Sequence, residues 1–180
     1  MSATEIKFGG FGGQGVILAG MIIGRAASLY NNQFATLTQS FGPEARGSAC
    51  SAQVIISEDK ILYPYVTKPE ILLVMSQEAC NKFLPETTDT ATLIIEEDLV
   101  KPSGLKSGMQ VYSIPATRLA EELGRKMILN IVMVGFFTAV TRLVAYEAVR
   151  EAVKASVPPG TEGMNLKAFE RGYQYGLSIS

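Results

Sequence analysis

The chain reads as an α/β domain: a three-layer, Rossmann-like fold with a mostly parallel sheet and a β-hairpin insertion. Three observations predict it. Strand candidates at 70–75 and 91–95 are short and largely apolar, without the strict alternation of a one-sided sheet, as expected of strands buried on both faces. Helix candidates at 77–83, 115–123 and 128–144 are interleaved with these strands and a last one at 110–114, the alternation from which parallel sheets are built. Finally, a strand candidate at 5–8 runs through Gly9-Gly10-Phe11-Gly12-Gly13-Gln14-Gly15 into a long apolar helix candidate.

That loop is the feature to which the rest of the chain is referred. Gly10, Gly12 and Gly15 fit the G-x-G-x-x-G spacing, in which bare backbone turns tightly and presents N–H groups at a helix N-terminus, where partial positive charge favours a phosphate. A purely structural turn is the alternative in a chain with 17 glycines. The helix at about 15–30 is apolar around most of its girth, so it must pack on more than one neighbour. Gly20 and Gly24 share one side of it, where a sheet or a second backbone can come close.

A second strand is expected at 33–38. A dinucleotide-binding unit would place a carboxylate near its end to hold a ribose hydroxyl, and this region reads Thr36-Leu37-Thr38-Gln39-Ser40, which argues against ordinary NAD binding. The following Phe41-Gly42-Pro43-Glu44-Ala45-Arg46-Gly47-Ser48 is rich in turn formers. Parallel strands bring their C-terminal ends to one edge, so this loop should lie near the glycine loop. Arg46, a planar donor fork, is the best candidate for an anion contact, against a local ion pair with Glu44.

Residues 51–56 are expected to form the hairpin with 61–63 across the polar turn at 57–60. Past the last strand, Pro115 suits a helix start, 146–157 has the pattern of a solvated outer helix, and Pro158-Pro159-Gly160 stops it. Asn165 is expected to cap a final helix through Tyr175, with Leu166, Phe169 and Tyr173 docking onto the body of the domain.

The 180 residues, 47% hydrophobic and 18% charged, suit one core and a single domain over 1–180. A net charge of −1 leaves no basic excess for a nucleic acid. Residues 128–140 are too few for the roughly 20 a membrane span needs, and the polar, glycine-rich start does not resemble an export leader; a cytoplasmic protein is expected. Two cysteines, Cys50 and Cys80, cannot make an iron–sulfur or zinc centre, and the chain has no histidine for nucleophile activation.

Four segments carry a resemblance. Gly10-Phe11-Gly12-Gly13-Gln14-Gly15, Thr38-Gln39-Ser40-Phe41-Gly42-Pro43-Glu44-Ala45-Arg46-Gly47, Val66-Thr67-Lys68-Pro69-Glu70-Ile71-Leu72 and Asn165-Leu166-Lys167-Ala168-Phe169, in this order, resemble the gamma subunit of 2-oxoacid:ferredoxin (acceptor) oxidoreductases over nearly the whole chain. Ser48 departs from the second glycine usual after the arginine. The wording of the second segment is closer to the 2-oxoglutarate and branched-chain types than to the pyruvate type, and 2-oxoglutarate is favoured. The resemblance implies an enzyme that decarboxylates a 2-oxoacid on thiamine diphosphate with Mg, passes electrons through iron–sulfur clusters to ferredoxin or a similar acceptor, and transfers the acyl group to coenzyme A. With no cluster cysteines and no Gly-Asp-Gly segment followed by paired asparagines, those cofactors are expected on the alpha, beta and delta partner subunits. The isolated chain is expected to be inactive.

The expected contribution of this chain is completion of the complex plus a phosphate-binding loop of Gly10, Gly12, Gly13, Gln14 and Gly15 with Glu44, Arg46 and Gly47, near the coenzyme A or thiamine diphosphate site. No catalytic residue and no metal ligand is expected on it. Two other readings stay open: a structural subunit whose glycine loop binds nothing, and a free-standing nucleotide-binding Rossmann protein.

Overall fold

The computed structural model describes residues 3–41 and 48–180. In chain order they form β1 (Thr4–Phe11), α1 (Val16–Arg25, continued by a π-helical turn over Ala26–Tyr30), β2 (Phe34–Ser40), β3 (Ala49–Ser57), β4 (Ile71–Val74), α2 (Gln77–Phe83), β5 (Thr92–Glu96), β6 (Gln110–Ile114), α3 (Ala116–Glu122), α4 (Leu129–Thr141), α5 (Tyr146–Ser156) and α6 (Glu162–Ile179). The six strands make one sheet in the order β2-β3-β1-β4-β5-β6. β1, β4, β5 and β6 are parallel, while β3 runs antiparallel to both of its neighbours.

The predicted α/β architecture with its antiparallel hairpin is present, but the hairpin is built differently. β3 pairs with β2, from Phe34 opposite Ser57 to Ser40 opposite Ser51, and residues 61–63 form no strand. The reason is the length and chemistry on offer. Pro64 would stop a return strand at 61–63 after three residues, whereas β2 gives β3 a seven-residue ladder and lets Ala52, Val54 and Ile56 bury against α1.

The two faces of the sheet are covered unequally. On one, Ile6 and Phe8 of β1 and the even-numbered residues of β3 pack with α1, α3, α4, α5 and α6 in the main core. On the other, Leu72, Val74, Leu93 and Ile95 meet Ala79, Cys80 and Phe83 of the short helix α2 and Leu84 just after it. β4 and β5 are therefore apolar on both sides. The helix-on-sheet role expected of Gly20 is realised: a Cβ there would stand 2.6 Å from the Cβ of Ala52.

The tightest contact is between α4 and α6. A Cβ on Gly135 would lie 2.0 Å from the carbonyl oxygen of Phe169, and one on Gly172 would lie 1.9 Å from that of Val132. The two backbones touch, so Phe136, Phe137 and Phe169 are buried around the crossing. α6 also begins earlier and ends later than its sequence suggests. Thr161 precedes its first turn, and Asn165 lies inside the helix, donating from Nδ2 to the Thr161 carbonyl oxygen at 2.9 Å instead of capping it. As expected, its Phe169 docks onto the body of the domain.

Candidate functional site: a glycine loop at the sheet edge

β1 ends at Phe11, and α1 begins at Val16 after a connection of four residues. Gln14 makes this short connection rigid. Its Oε1 accepts the Phe11 N–H at 2.7 Å, its Nε2 donates to the Met75 carbonyl oxygen at 2.9 Å, and its own N–H donates to the Phe11 carbonyl oxygen at 3.2 Å. The side chain thus ties the C-terminal end of β1 to that of β4. A Cβ on Gly10 would fall 2.6 Å from Gln14 Oε1, so Gly10 is what lets the amide fold back over the strand.

The remaining glycines divide their work. Gly13 and Gly15 have φ of +89° and +76°, the left-handed region that side chains disfavour. Gly12 does not share that constraint, and no atom lies within 4 Å of where a Cβ on Gly12 or Gly13 would sit. The outer side of the loop is open. Gly15 stands at the N-cap of α1 with no side chain capping the helix and no acidic residue in its first turn, which leaves N–H groups and the positive end of the helix dipole available to an anion.

The fold adds a part that sequence reasoning missed. Asn130, buried in the first turn of α4, donates from Nδ2 to the Gly15 carbonyl oxygen at 3.2 Å, and a Cβ on Gly15 would collide with that nitrogen at 2.2 Å. The N-terminus of α4, also without a side-chain cap or an early acidic residue, is held beside that of α1. Arg125 and Lys126, exposed, sit on the turn leading into it. The available signal was Asn130 itself, a polar interruption of an otherwise apolar run.

Glu44, Arg46 and Gly47 lie outside the described residues. The strands flanking them do end where the glycine loop emerges: Ser40 pairs with Ser51, which pairs with Gly9, and β3 begins with Ala49 opposite Phe11. Elsewhere on this edge Glu96, fully buried at the end of β5, accepts the Thr117 hydroxyl at 2.5 Å and the Asp98 N–H at 2.9 Å, which fastens β5 to α3. Lys7, buried on β1, is committed to Glu86 at 2.5 Å and lies 4.6 Å above the centre of the Phe83 ring. Cys50 and Cys80 are free and buried, and burial raises both thiol pKa values above the usual thiol range. Among the described residues no group of three or more histidine, cysteine, aspartate or glutamate side chains is placed to hold a metal, and no helix is long and apolar enough to cross a membrane.

Comparison with known proteins finds relatives over nearly the whole chain. Residues 5–175 match the family described as pyruvate ferredoxin/flavodoxin oxidoreductase. The 2-oxoglutarate synthase subunit KorC of Methanocaldococcus jannaschii is 46% identical over 177 residues, covering 97% of this chain and 95% of that one. The gamma subunit of a keto/oxoacid ferredoxin oxidoreductase from Geobacter sulfurreducens superposes with a TM-score of 0.90 at 36% identity, covering 99% of this chain and 98% of that one. The same fold, with a TM-score of 0.89 at 18% identity, makes up 32% of a longer chain, the 2-oxoglutarate:ferredoxin oxidoreductase of Magnetococcus marinus, and covers all of this one. The chain belongs to the pyruvate ferredoxin/flavodoxin oxidoreductase family, among the gamma subunits of the 2-oxoacid:ferredoxin oxidoreductases.

Proposed function

We propose that this gamma subunit serves an enzyme that oxidatively decarboxylates 2-oxoglutarate to its acyl-CoA and delivers the electrons, through iron–sulfur clusters, to ferredoxin or a similar acceptor. The similarity to KorC supports the substrate, and the Magnetococcus structure, which holds 2-oxoglutarate, coenzyme A and succinyl-CoA, supports the reaction. In this reading the clusters and thiamine diphosphate with Mg are held by alpha, beta and delta subunits, and the thiamine cofactor supplies the carbanion chemistry of decarboxylation there. The present chain performs no bond-making step. The N–H groups of its glycine loop around Gly12 to Gly15, together with Arg46, hold a phosphate of coenzyme A or of the partner-bound thiamine diphosphate, with Glu44 and Gly47 flanking that arginine in the same segment.

The observation that carries this reading is the uncapped first turn of α1, braced by Gln14 and Asn130 and open above Gly12 and Gly13. A backbone cradle of that kind suits a phosphate oxygen, and a guanidinium beside it adds charge-assisted hydrogen bonds. In the assembled enzyme, Arg46→Ala is expected to raise the KM for coenzyme A by about tenfold or more, in line with roughly 1.5–3 kcal/mol per such bond, with kcat at saturation little changed. Unaltered kinetics at limiting coenzyme A and at limiting thiamine diphosphate would sink the cradle. The chain would then be a scaffold subunit whose glycines serve only the packing of Gln14 and Asn130.

A further inference from the structure

Gln14 fills a place where an open α/β sheet takes a ligand. β2 and β3 lie on one side of β1, and β4 lies on the other. α1 leaves β1 toward the main-core face, while α2 leaves β4 toward the opposite face. Where successive connections part in this way a crevice opens outside the C-terminal ends of the two strands, and ligands of open α/β sheets bind there. In this chain β1 and β4 stay paired up to that point, with the Met75 N–H donating to the Gly9 carbonyl oxygen at 3.0 Å. Just beyond that bond, the Phe11 N–H and the Met75 carbonyl oxygen face the crevice from its two sides.

One side chain takes both groups. Gln14 Oε1 accepts the Phe11 N–H at 2.7 Å, and its Nε2 donates to the Met75 carbonyl oxygen at 2.9 Å, so the carboxamide lies across the crevice with both ends bound. The seat is fitted to a flat group. A Cβ on Gly10 would stand 2.6 Å from Gln14 Oε1 and 2.8 Å from Val16 Cγ2, and only glycine leaves that space clear. Met75 is fully buried, so removing the amide leaves a buried acceptor short of a hydrogen bond, a costlier state than the bond's own ordinary worth. A substitute for Gln14 must therefore bring an acceptor and an N–H donor side by side on one plane. Adenine presents that pair, a ring nitrogen next to its N6 amino group. The way in is clear, since no atom lies within 4 Å of where a Cβ on Gly12 or Gly13 would sit.

We infer that Gln14 is an internal competitor: its carboxamide occupies a seat that otherwise reads the acceptor–donor edge of adenine, and so keeps adenine-bearing molecules out of the crevice between β1 and β4. The residue thereby sets the specificity of the loop, as well as bracing it. It closes the inner side to a base and leaves the outer side, above Gly12 and Gly13, open. The inference does not depend on the phosphate reading, because the seat is built from the Phe11 N–H and the Met75 carbonyl oxygen and involves no anion.

The test titrates the full chain with adenosine, which carries no phosphate, and follows binding by NMR. Gln14→Ala is expected to keep the circular dichroism of the parent and to bind adenosine about tenfold more tightly or better, a difference of at least 1.4 kcal/mol. N6,N6-dimethyladenosine, which has lost the donor, is expected to gain nothing from the same substitution; a loop that had merely loosened would treat the two nucleosides alike. Gln14→Ser serves the same comparison if the alanine variant does not fold. Equal adenosine affinity in parent and variant, or an equal gain for the dimethyl compound, overturns the inference. Unfolding of both variants also overturns it, since a seat that cannot stand empty receives no ligand. The phosphate reading is tested at Arg46, so either can fail without the other.

Discussion

Asn130 and Gly15 are joined by one hydrogen bond, 3.2 Å from the side-chain amide to the backbone carbonyl oxygen, and through it α4 fixes the start of α1. Gly15 meets two demands there, a left-handed φ of +76° and room for the amide. Replacing it with alanine is expected to cost roughly 2–4 kcal/mol, since backbone strain of about 1–3 kcal/mol adds to the displaced contact. Gly12→Ala meets neither demand and is expected to leave stability within about 1 kcal/mol. Urea denaturation of the two variants checks the contrast; equal losses would mean that the division of roles among the loop glycines is wrong.

At the crossing of α4 and α6 no relaxation short of separating the helices accommodates a methyl group. Gly172→Ala would set a Cβ 1.9 Å from the Val132 carbonyl oxygen. The cost is expected to exceed about 4 kcal/mol, at the far end of single substitutions. Gly163→Ala, in open space near the start of the same helix, is expected to be neutral or slightly stabilising. Thermal melts of both variants report the difference directly.

These glycines show where the sequence was legible and where it was not. The strands at 71–74, 92–96 and 110–114 and the helices α2 to α5 follow from apolar patterning, turn residues and Pro115, all of which act locally. The partner of β3 does not. Pairing is a contest between distant segments, and the nearby 61–63 run lost to β2 because only β2 offers a full ladder. Gly135 and Gly172 carry no local signal, since their meaning arises where two helices cross. For the site, the G-x-G-x-x-G spacing identified Gly10 to Gly15 as a unit, but the division into Gly13 and Gly15 for conformation, Gly10 for Gln14 and Gly12 for open space depends on φ and on neighbours far along the chain. Asn130 was visible only as an anomaly in an apolar run.

Both thiols are predicted to be inert in the folded chain. Burial raises the pKa of Cys50 and of Cys80, and the thiolate is the reactive form. A thiol-reactive dye at pH 8 is expected to label neither cysteine within minutes in native conditions and both in denaturant. Rapid labelling of Cys80 in the native state would show that α2 opens readily from its thin side of the sheet.

The last prediction concerns the ring cluster that joins α5 to α6. Tyr146 packs against Phe169 and Tyr173, with ring centres 5.3 and 4.5 Å away, and donates its hydroxyl to the Glu170 carboxylate. Its phenol pKa is pushed up to about 12, chiefly because burial disfavours the phenolate and then because Glu170 binds the neutral hydroxyl and repels the anion. A folded pKa raised above the unfolded value near 10 means that the folded state holds its proton more tightly. The stabilisation is therefore complete below about pH 10 and is lost as pH rises through about 12. Absorbance titration at 295 nm should show one of the seven tyrosines ionising late, and that late phase should vanish in Tyr146→Phe. The same variant should lose about 0.5–1.5 kcal/mol at neutral pH, the ordinary worth of one hydrogen bond, and should decline less steeply than the parent between pH 10 and 12. A late phase that persists in Tyr146→Phe, with the lost amplitude falling near pH 10 instead, would show that the phenol is solvated and that the Glu170 contact does not hold α5 to α6.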